Sequence, residues 1–148
     1  MDAVYQAIKD DPEMIAAIEK ARVTFPEFLT EADADRRRAI PILEDVLIKM
    51  YAANPDFPDA GEHLWVRYIG PDPRCEGRFR GLMLSTPLKV TAIVSKGDTV
   101  NLSIKSLSDW LYVSDGKAYG AFTVRVLRSR MSPEELRDHD AGYPFSFE

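Results

Sequence analysis

Residues 99–127, TVNLSIKSLSDWLYVSDGKAYGAFTVRVL, decide the fold class. Across Thr99–Lys105, polar and apolar side chains alternate, which predicts a strand with one buried face because successive strand side chains point to opposite faces. Further on, Trp110–Val113 and Ala118–Leu127 flank the Asp-Gly pair at 115–116, which favours the tight turn of a hairpin between two strands. The stretch therefore predicts antiparallel β-structure.

Upstream of this stretch, three more runs have the apolar and β-branched composition that is typical of strands. They are Val46–Ala52, His63–Ile69 and Gly77–Ser85. Residues 54–61 between the first two contain several proline, aspartate and glycine residues, which predicts a long connection, and Gly70–Pro73 predicts a turn. The segment Thr86–Lys96 is compatible with a short helix or with an irregular crossing.

Helices are predicted at both ends of the chain. Asp11 followed by Pro12 is a typical helix start, and a buried stripe at helical spacing follows it: Met14, Ile18, Ala21, Phe25 and Phe28. Pro26 lacks an amide hydrogen, so we expect the helix to kink or restart there and Pro26–Ala34 to form a short second helix. Near the other end, Ser132 with Pro133 and Glu135 predicts a capping box and a short acidic helix.

These elements predict one α+β domain spanning all 148 residues, with a helical segment at about 1–40, a β-rich segment at about 45–130 and a C-terminal helix and tail at 131–148. We expect the N-terminal helices to pack on a curved antiparallel sheet or a small, partly open barrel.

The composition limits the function. The net charge of −5 argues against nucleic acid as the partner. No run of 18 apolar residues predicts a membrane span, and the acidic first eleven residues are untypical of a signal peptide. Cys75 is the only cysteine, so we expect a cytoplasmic protein without a disulfide. No hydrolase, nucleotide or metal motif stands out, so we expect no cofactor and no catalytic residue of a familiar type.

Short motifs in a fixed order resemble one family of bacterial proteins. Glu62–Val66 is similar to the Glu-His-Met-Trp-Val signature of the domain-of-unknown-function 2314 family. The glycine and proline at 81 and 87, the Gly-Asp pair at 97–98 and the Asp-Trp pair at 109–110 resemble its later landmarks, while Gly120, Phe122, Thr123 and Arg125 resemble its closing strand. The resemblance covers about residues 14–132 and implies the fold without an established activity.

The candidate binding residues are aromatic, basic or acidic side chains on predicted strands. We expect a non-enzymatic protein-binding or regulatory module whose surface is formed by His63, Trp65, Arg67, Arg78, Arg80, Asp109 and Trp110. The alternative is an enzyme of unrecognised type with Glu62, His63 and Asp109 as an acid/base cluster. A third interpretation has the aromatic tail, Tyr143, Phe145 and Phe147, adding as a strand to another chain or covering its own sheet.

Overall fold

The computed structural model describes residues 10–52, 61–84 and 96–147, and one long helix comes first. Helix α1 runs Pro12–Arg36. Its start is as predicted, because the Met14 amide donates to Asp11 Oδ1 at 3.2 Å. The predicted stripe is buried at Ile18, Ala21, Phe25 and Phe28, with Met14 partly buried at the start of the helix.

The predicted second helix at Pro26–Ala34 is wrong, since α1 continues through Pro26. The proline lies on the exposed side of the helix. Phe25 and Phe28 on either side of it are 2% and 0% exposed. Burial of these two rings outweighs the helix-breaking tendency of the proline.

The sheet has six antiparallel strands, confirming the α+β class. They are β1 (Asp45–Ala52), β2 (Glu62–Pro71), β3 (Arg78–Met83), β4 (Thr99–Ser103), β5 (Leu107–Ser114) and β6 (Lys117–Gly120). Their order is β4-β3-β2-β1-β5-β6, so the sheet is open rather than closed into a barrel. The predicted tight turn is present between β5 and β6, with positive φ at Asp115 and Gly116.

The predicted strand Ala118–Leu127 is wrong beyond Gly120. Gly120 and Ala121 both have positive φ, 79° and 56°, which turns the chain away from the sheet. Helix α2 then begins at once and runs Phe122–Ser129. The family landmarks at 122, 123 and 125 therefore lie on a helix and not on a closing strand.

Two other boundaries differ from the sequence-based expectation. Ile104 leaves the sheet, because Ile104–Ser106 forms a short 3-10 helix before β5, and its side chain is 39% exposed. Strand β2 continues to Pro71, with a register shift at Tyr68/Gly70, and the expected turn comes slightly later, where the Cys75 amide donates to Asp72 O at 3.4 Å. The predictions for residues 54–60, for Ser85 and for Thr86–Ser95 fall outside the described residues.

Helix α3 and the tail close the chain. Helix α3 runs Pro133–Ala141 and has the predicted capping box at Ser132 and Glu135. Beyond it, the tail runs beside β6, where the Ala118 amide donates to Ser146 O at 2.8 Å. Phe147 is 4% exposed. The tail therefore covers its own sheet, as one of the two interpretations of its aromatic residues predicted.

The sheet separates two apolar clusters. Under α1, Phe25 and Phe28 pack with β-strand side chains that include Ile48, Val66 and Trp110. Leu111 and Val113 point to the opposite face and pack with Phe147 beside α2. Of the helices among the residues described, none is long and apolar enough to cross a bilayer.

Candidate functional site

The face of the sheet opposite α1, called here the outer face, carries most of the sequence-predicted site. Because strand side chains alternate, its members follow from the register: Leu47 pairs with Arg67, and Lys49 with Trp65. One strand further, Leu82 pairs with Arg67. On β1 and β5, the outer-face side chains Leu47, Leu111 and Val113 belong to the apolar cluster that also contains Val124 of α2 and Phe147 of the tail.

The other part of the outer face, on β2 and β3, lies under none of the helices that the structure describes. We define the open face as Trp65, Arg67, Arg78, Arg80 and Leu82. Arg67 and Arg78 are exposed, and the other three side chains are half-buried. The Nε atom of Arg80 is buried and has no hydrogen-bond partner in the described part of the chain. Trp65 forms the border, since it also packs against the apolar cluster beneath α2.

Asp109 and Trp110, also predicted as surface residues, lie in the interior, at 0% and 4% exposure. They cannot belong to an exposed surface. Each makes hydrogen bonds inside the protein that account for its burial.

Asp109 caps helix α2. Its carboxylate accepts hydrogen bonds from the Phe122 and Thr123 amides at 3.1 and 2.9 Å, and from the Thr123 hydroxyl. A fourth bond comes from the Trp110 amide at 2.8 Å. Burial raises the pKa of Asp109, against the opposing effect of the bonds from Thr123. Because Ala121 at the start of α2 supplies no side-chain cap, the strand residue replaces it.

Trp110 joins the sheet to α1. Its indole Nε1–H donates to Ala21 O and to Thr24 Oγ1, both at 3.1 Å. The ring lies edge-on to Phe122 with centroids 5.4 Å apart. A buried indole needs such an acceptor, and α1 supplies it.

Lys49 extends the Asp109 network across the outer face. Its Nζ donates to Thr123 Oγ1 at 3.0 Å and lies 5.6 Å from the centroid of the Trp65 ring. Burial lowers the pKa of Lys49, while the nearby charge of Asp109 opposes the shift. Lys49 was not among the sequence-predicted residues. The sequence feature that could have indicated it is its charge within the otherwise apolar run Val46–Ala52.

His63 lies beside this network as a neutral ring. Burial, and secondarily the charge of Lys49, lowers the pKa of His63 to about 4. Ser108 Oγ donates its one hydrogen to Lys49 O at 3.3 Å, so His63 Nδ1, 3.1 Å away, acts as the donor to Ser108. This assignment leaves Nε2 as the acceptor nitrogen of His63.

The acid/base cluster proposed from the sequence does not assemble as a trio. His63 and Asp109 share the outer face, but Glu62 precedes His63 in β2 and points the other way. Both oxygens of Asp109 are already used by its donors. Among the described residues, no group of three or more histidine, cysteine, aspartate or glutamate side chains could hold a metal ion.

The chain is similar to a known protein family and to a protein of Neisseria meningitidis. The family model described as an uncharacterised protein conserved in bacteria (DUF2314) matches residues 11–147. A protein of Neisseria meningitidis serogroup B named "Putative ankyrin repeat protein" is 31% identical over 150 residues, which is 97% of this chain. The chain spans 56% of the length of that relative. No solved structure matches.

Proposed function

We propose that this chain, which belongs to the DUF2314 family of uncharacterised proteins conserved in bacteria, is a protein-binding module that uses the open face. The occupant is an acidic, partly apolar segment of another protein. The observation that carries the proposal is the combination of Trp65 with Arg67, Arg78 and Arg80 on a part of the sheet that no described helix covers.

The chemistry of the open face favours such a partner. Tryptophan and arginine dominate the binding energy of protein interfaces, because each offers a large contact area and a directional donor. Leu82 and Trp65 supply apolar contact, and the three arginines supply positive charge. Arg67 and Arg78 make no direct ion pair with the described residues, although the charge of Arg67 acts on Asp45 through space and opposes the rise in the pKa of Asp45 that burial causes.

The Neisseria relative supports the proposal indirectly. Its name refers to ankyrin repeats, and repeat proteins of that class present extended binding surfaces. A second binding domain in the same chain would strengthen attachment to a shared partner, because the second contact becomes intramolecular.

The test is affinity capture from a lysate of the native cell, followed by direct binding measurements with the purified partner. Three proteins are compared: the wild type, the W65A/R80A double variant, and a matched Y143A/R137A variant. The control removes an exposed aromatic residue and an exposed arginine elsewhere on the chain. We expect W65A/R80A to bind at least about 30-fold more weakly, the loss of roughly 2 kcal/mol expected of a dominant interface residue.

The salt dependence separates this proposal from a purely apolar contact. Association with an acidic segment should slow as ionic strength rises, since screening weakens attraction between exposed charges. If each captured protein binds the double variant and the control as tightly as the wild type, the open face is not the binding surface.

A further inference from the structure

Lys49 carries a positive charge that the described residues do not neutralise by a direct contact. Its side chain lies half-buried in the sheet. The only acceptor it reaches in the described ranges is the uncharged Thr123 hydroxyl oxygen at 3.0 Å, and it forms no ion pair there. An ammonium group has three N–H donors. Removing such a group from water without a counter-charge costs free energy, so structures usually supply a partner.

Asp109 is a described carboxylate whose charge acts on Lys49, but its oxygens already accept hydrogen bonds from other groups. Its oxygens accept from Trp110, Phe122 and Thr123, and those bonds hold the start of α2. The Thr123 hydroxyl stands between the two charges, donating to Asp109 Oδ2 and accepting from Lys49. Lys49 therefore interacts with the carboxylate only through this hydroxyl and through space.

The groups around Lys49 suit an incoming anion. The Trp65 ring lies under the ammonium at 5.6 Å, and a cation held against an aromatic face keeps its N–H groups available to a further acceptor. His63, two residues from Trp65 on the same face of β2, is an uncharged ring that is fixed by Ser108. Lys49 also adjoins the open face, because it pairs with Trp65 across the β1–β2 ladder.

From this arrangement we infer that Lys49 is the anchor of a carboxylate-binding subsite at the border of the open face, between Trp65 and His63. The inference rests on the proposed function, in which an acidic segment of a partner lies on that face. The ligand group is one carboxylate of that segment, either a side chain or a chain terminus. It accepts hydrogen bonds from the donors of Lys49 that Thr123 leaves unused.

The first test uses acetate as the carboxylate and needs no partner. The full chain is labelled with ¹³C at lysine, and the Lys49 Cε resonance is followed from pH 7 to pH 12 with and without acetate. We expect the pKa of Lys49 to lie below the usual value of a lysine in the absence of acetate, and to rise when acetate is added. If acetate leaves the Lys49 titration unchanged, the subsite is overturned.

Two variants make the test specific. We expect K49M to bind acetate about tenfold more weakly or worse, because one charge-assisted hydrogen bond is lost. The affinity is measured from the acetate-induced shifts of the Trp65 and His63 amides. K117M is the matched control, because Lys117 is exposed and its ammonium also lies 5.6 Å from a ring, that of Tyr119. Equal acetate binding by K49M, K117M and the wild type would mean adventitious ion binding only. If K49M does not fold, the titration of Lys49 in the wild type decides whether the subsite binds acetate.

The outcomes separate this subsite from the binding module itself. Once a partner is identified, its peptides are compared with a free and with an amidated C-terminus, and with each acidic side chain replaced by its amide. Each peptide is measured against the wild type and K49M. The carboxylate whose removal abolishes the difference in affinity between these two proteins is the ligand group. If acetate binds at Lys49 but no protein partner is found, the subsite is supported and the protein-binding module is rejected. If a partner binds K49M and the wild type equally, the module is supported and the subsite is rejected.

Discussion

Gly120 lies directly against the indole ring of Trp110: a Cβ atom built on Gly120 would fall 2.4 Å from Trp110 Cε3. The same glycine has φ +79°, a backbone conformation that other residues adopt only with strain. The position therefore requires glycine for two independent reasons, one in the backbone and one in packing against the ring.

The first prediction separates these two reasons. We expect G120A to lower the free energy of unfolding by about 2–4 kcal/mol, since overpacking and a left-handed alanine each cost on the order of 1–2 kcal/mol. G116A is the control, because Gly116 has a similar φ of +74° and nothing within 4 Å of a built Cβ. Urea unfolding measures both. Equal losses in the two variants would show that contact with Trp110 is unimportant.

The second prediction concerns the cap on α2. D109N keeps the shape of the side chain but replaces one carboxylate oxygen with an NH₂ group. This group then faces the N–H and O–H donors that Asp109 binds. We expect about 2–4 kcal/mol lower stability, the cost of leaving buried hydrogen-bonding groups unpaired, together with faster amide exchange at Phe122 and Thr123. D138N, on the exposed surface of α3, should change neither quantity. Slow exchange at Phe122 and Thr123 in D109N would contradict the capping role.

The third prediction is a pH dependence of stability that His63 causes. Its pKa falls from 6.5 to about 4 on folding, so between these values the unfolded chain binds a proton that the folded chain does not. The contribution is complete above pH 6.5 and is lost as pH falls towards 4. We expect the wild type to lose about 2 kcal/mol more than H63Q over this range. Parallel unfolding curves for the two proteins would exclude the effect.

The fourth prediction tests the tail as part of the fold. F147A should lower the free energy of unfolding by about 3 kcal/mol, as expected for a buried phenylalanine, because Phe147 is 4% exposed. Y143A should cost less than about 1 kcal/mol, since Tyr143 is 45% exposed. Thermal unfolding with sedimentation analysis measures stability and assembly together. If F147A kept its stability and lost an assembled state, the tail would be a docking strand for another chain.

Local signals in the sequence predicted the parts of the fold that local chemistry determines. The cap at Asp11, the capping box at Ser132 and the Asp-Gly turn at 115–116 each depend on residues within a few positions. All three were predicted correctly. The buried stripe of α1 was also correct, because helical periodicity is a property of one segment.

Errors arose where distant residues decide the outcome. Residues 122–129 have a strand-like composition, yet they form a helix whose first amides bond to Asp109, 13 and 14 positions earlier. Pro26 was tolerated because sheet side chains bury the rings beside it. Lys49 and Thr123 are 74 positions apart, so neither residue alone indicated a shared polar network.

Asp109 and Trp110 are neighbours in one strand, and consecutive strand side chains point to opposite faces. One of them binds the start of α2 and the other binds α1, so a single peptide unit ties both helices to the sheet. A local opening that displaces β5 would release both helices together. We therefore expect partial unfolding to be rare, with α1, β5 and α2 exchanging their amide hydrogens as one cooperative unit.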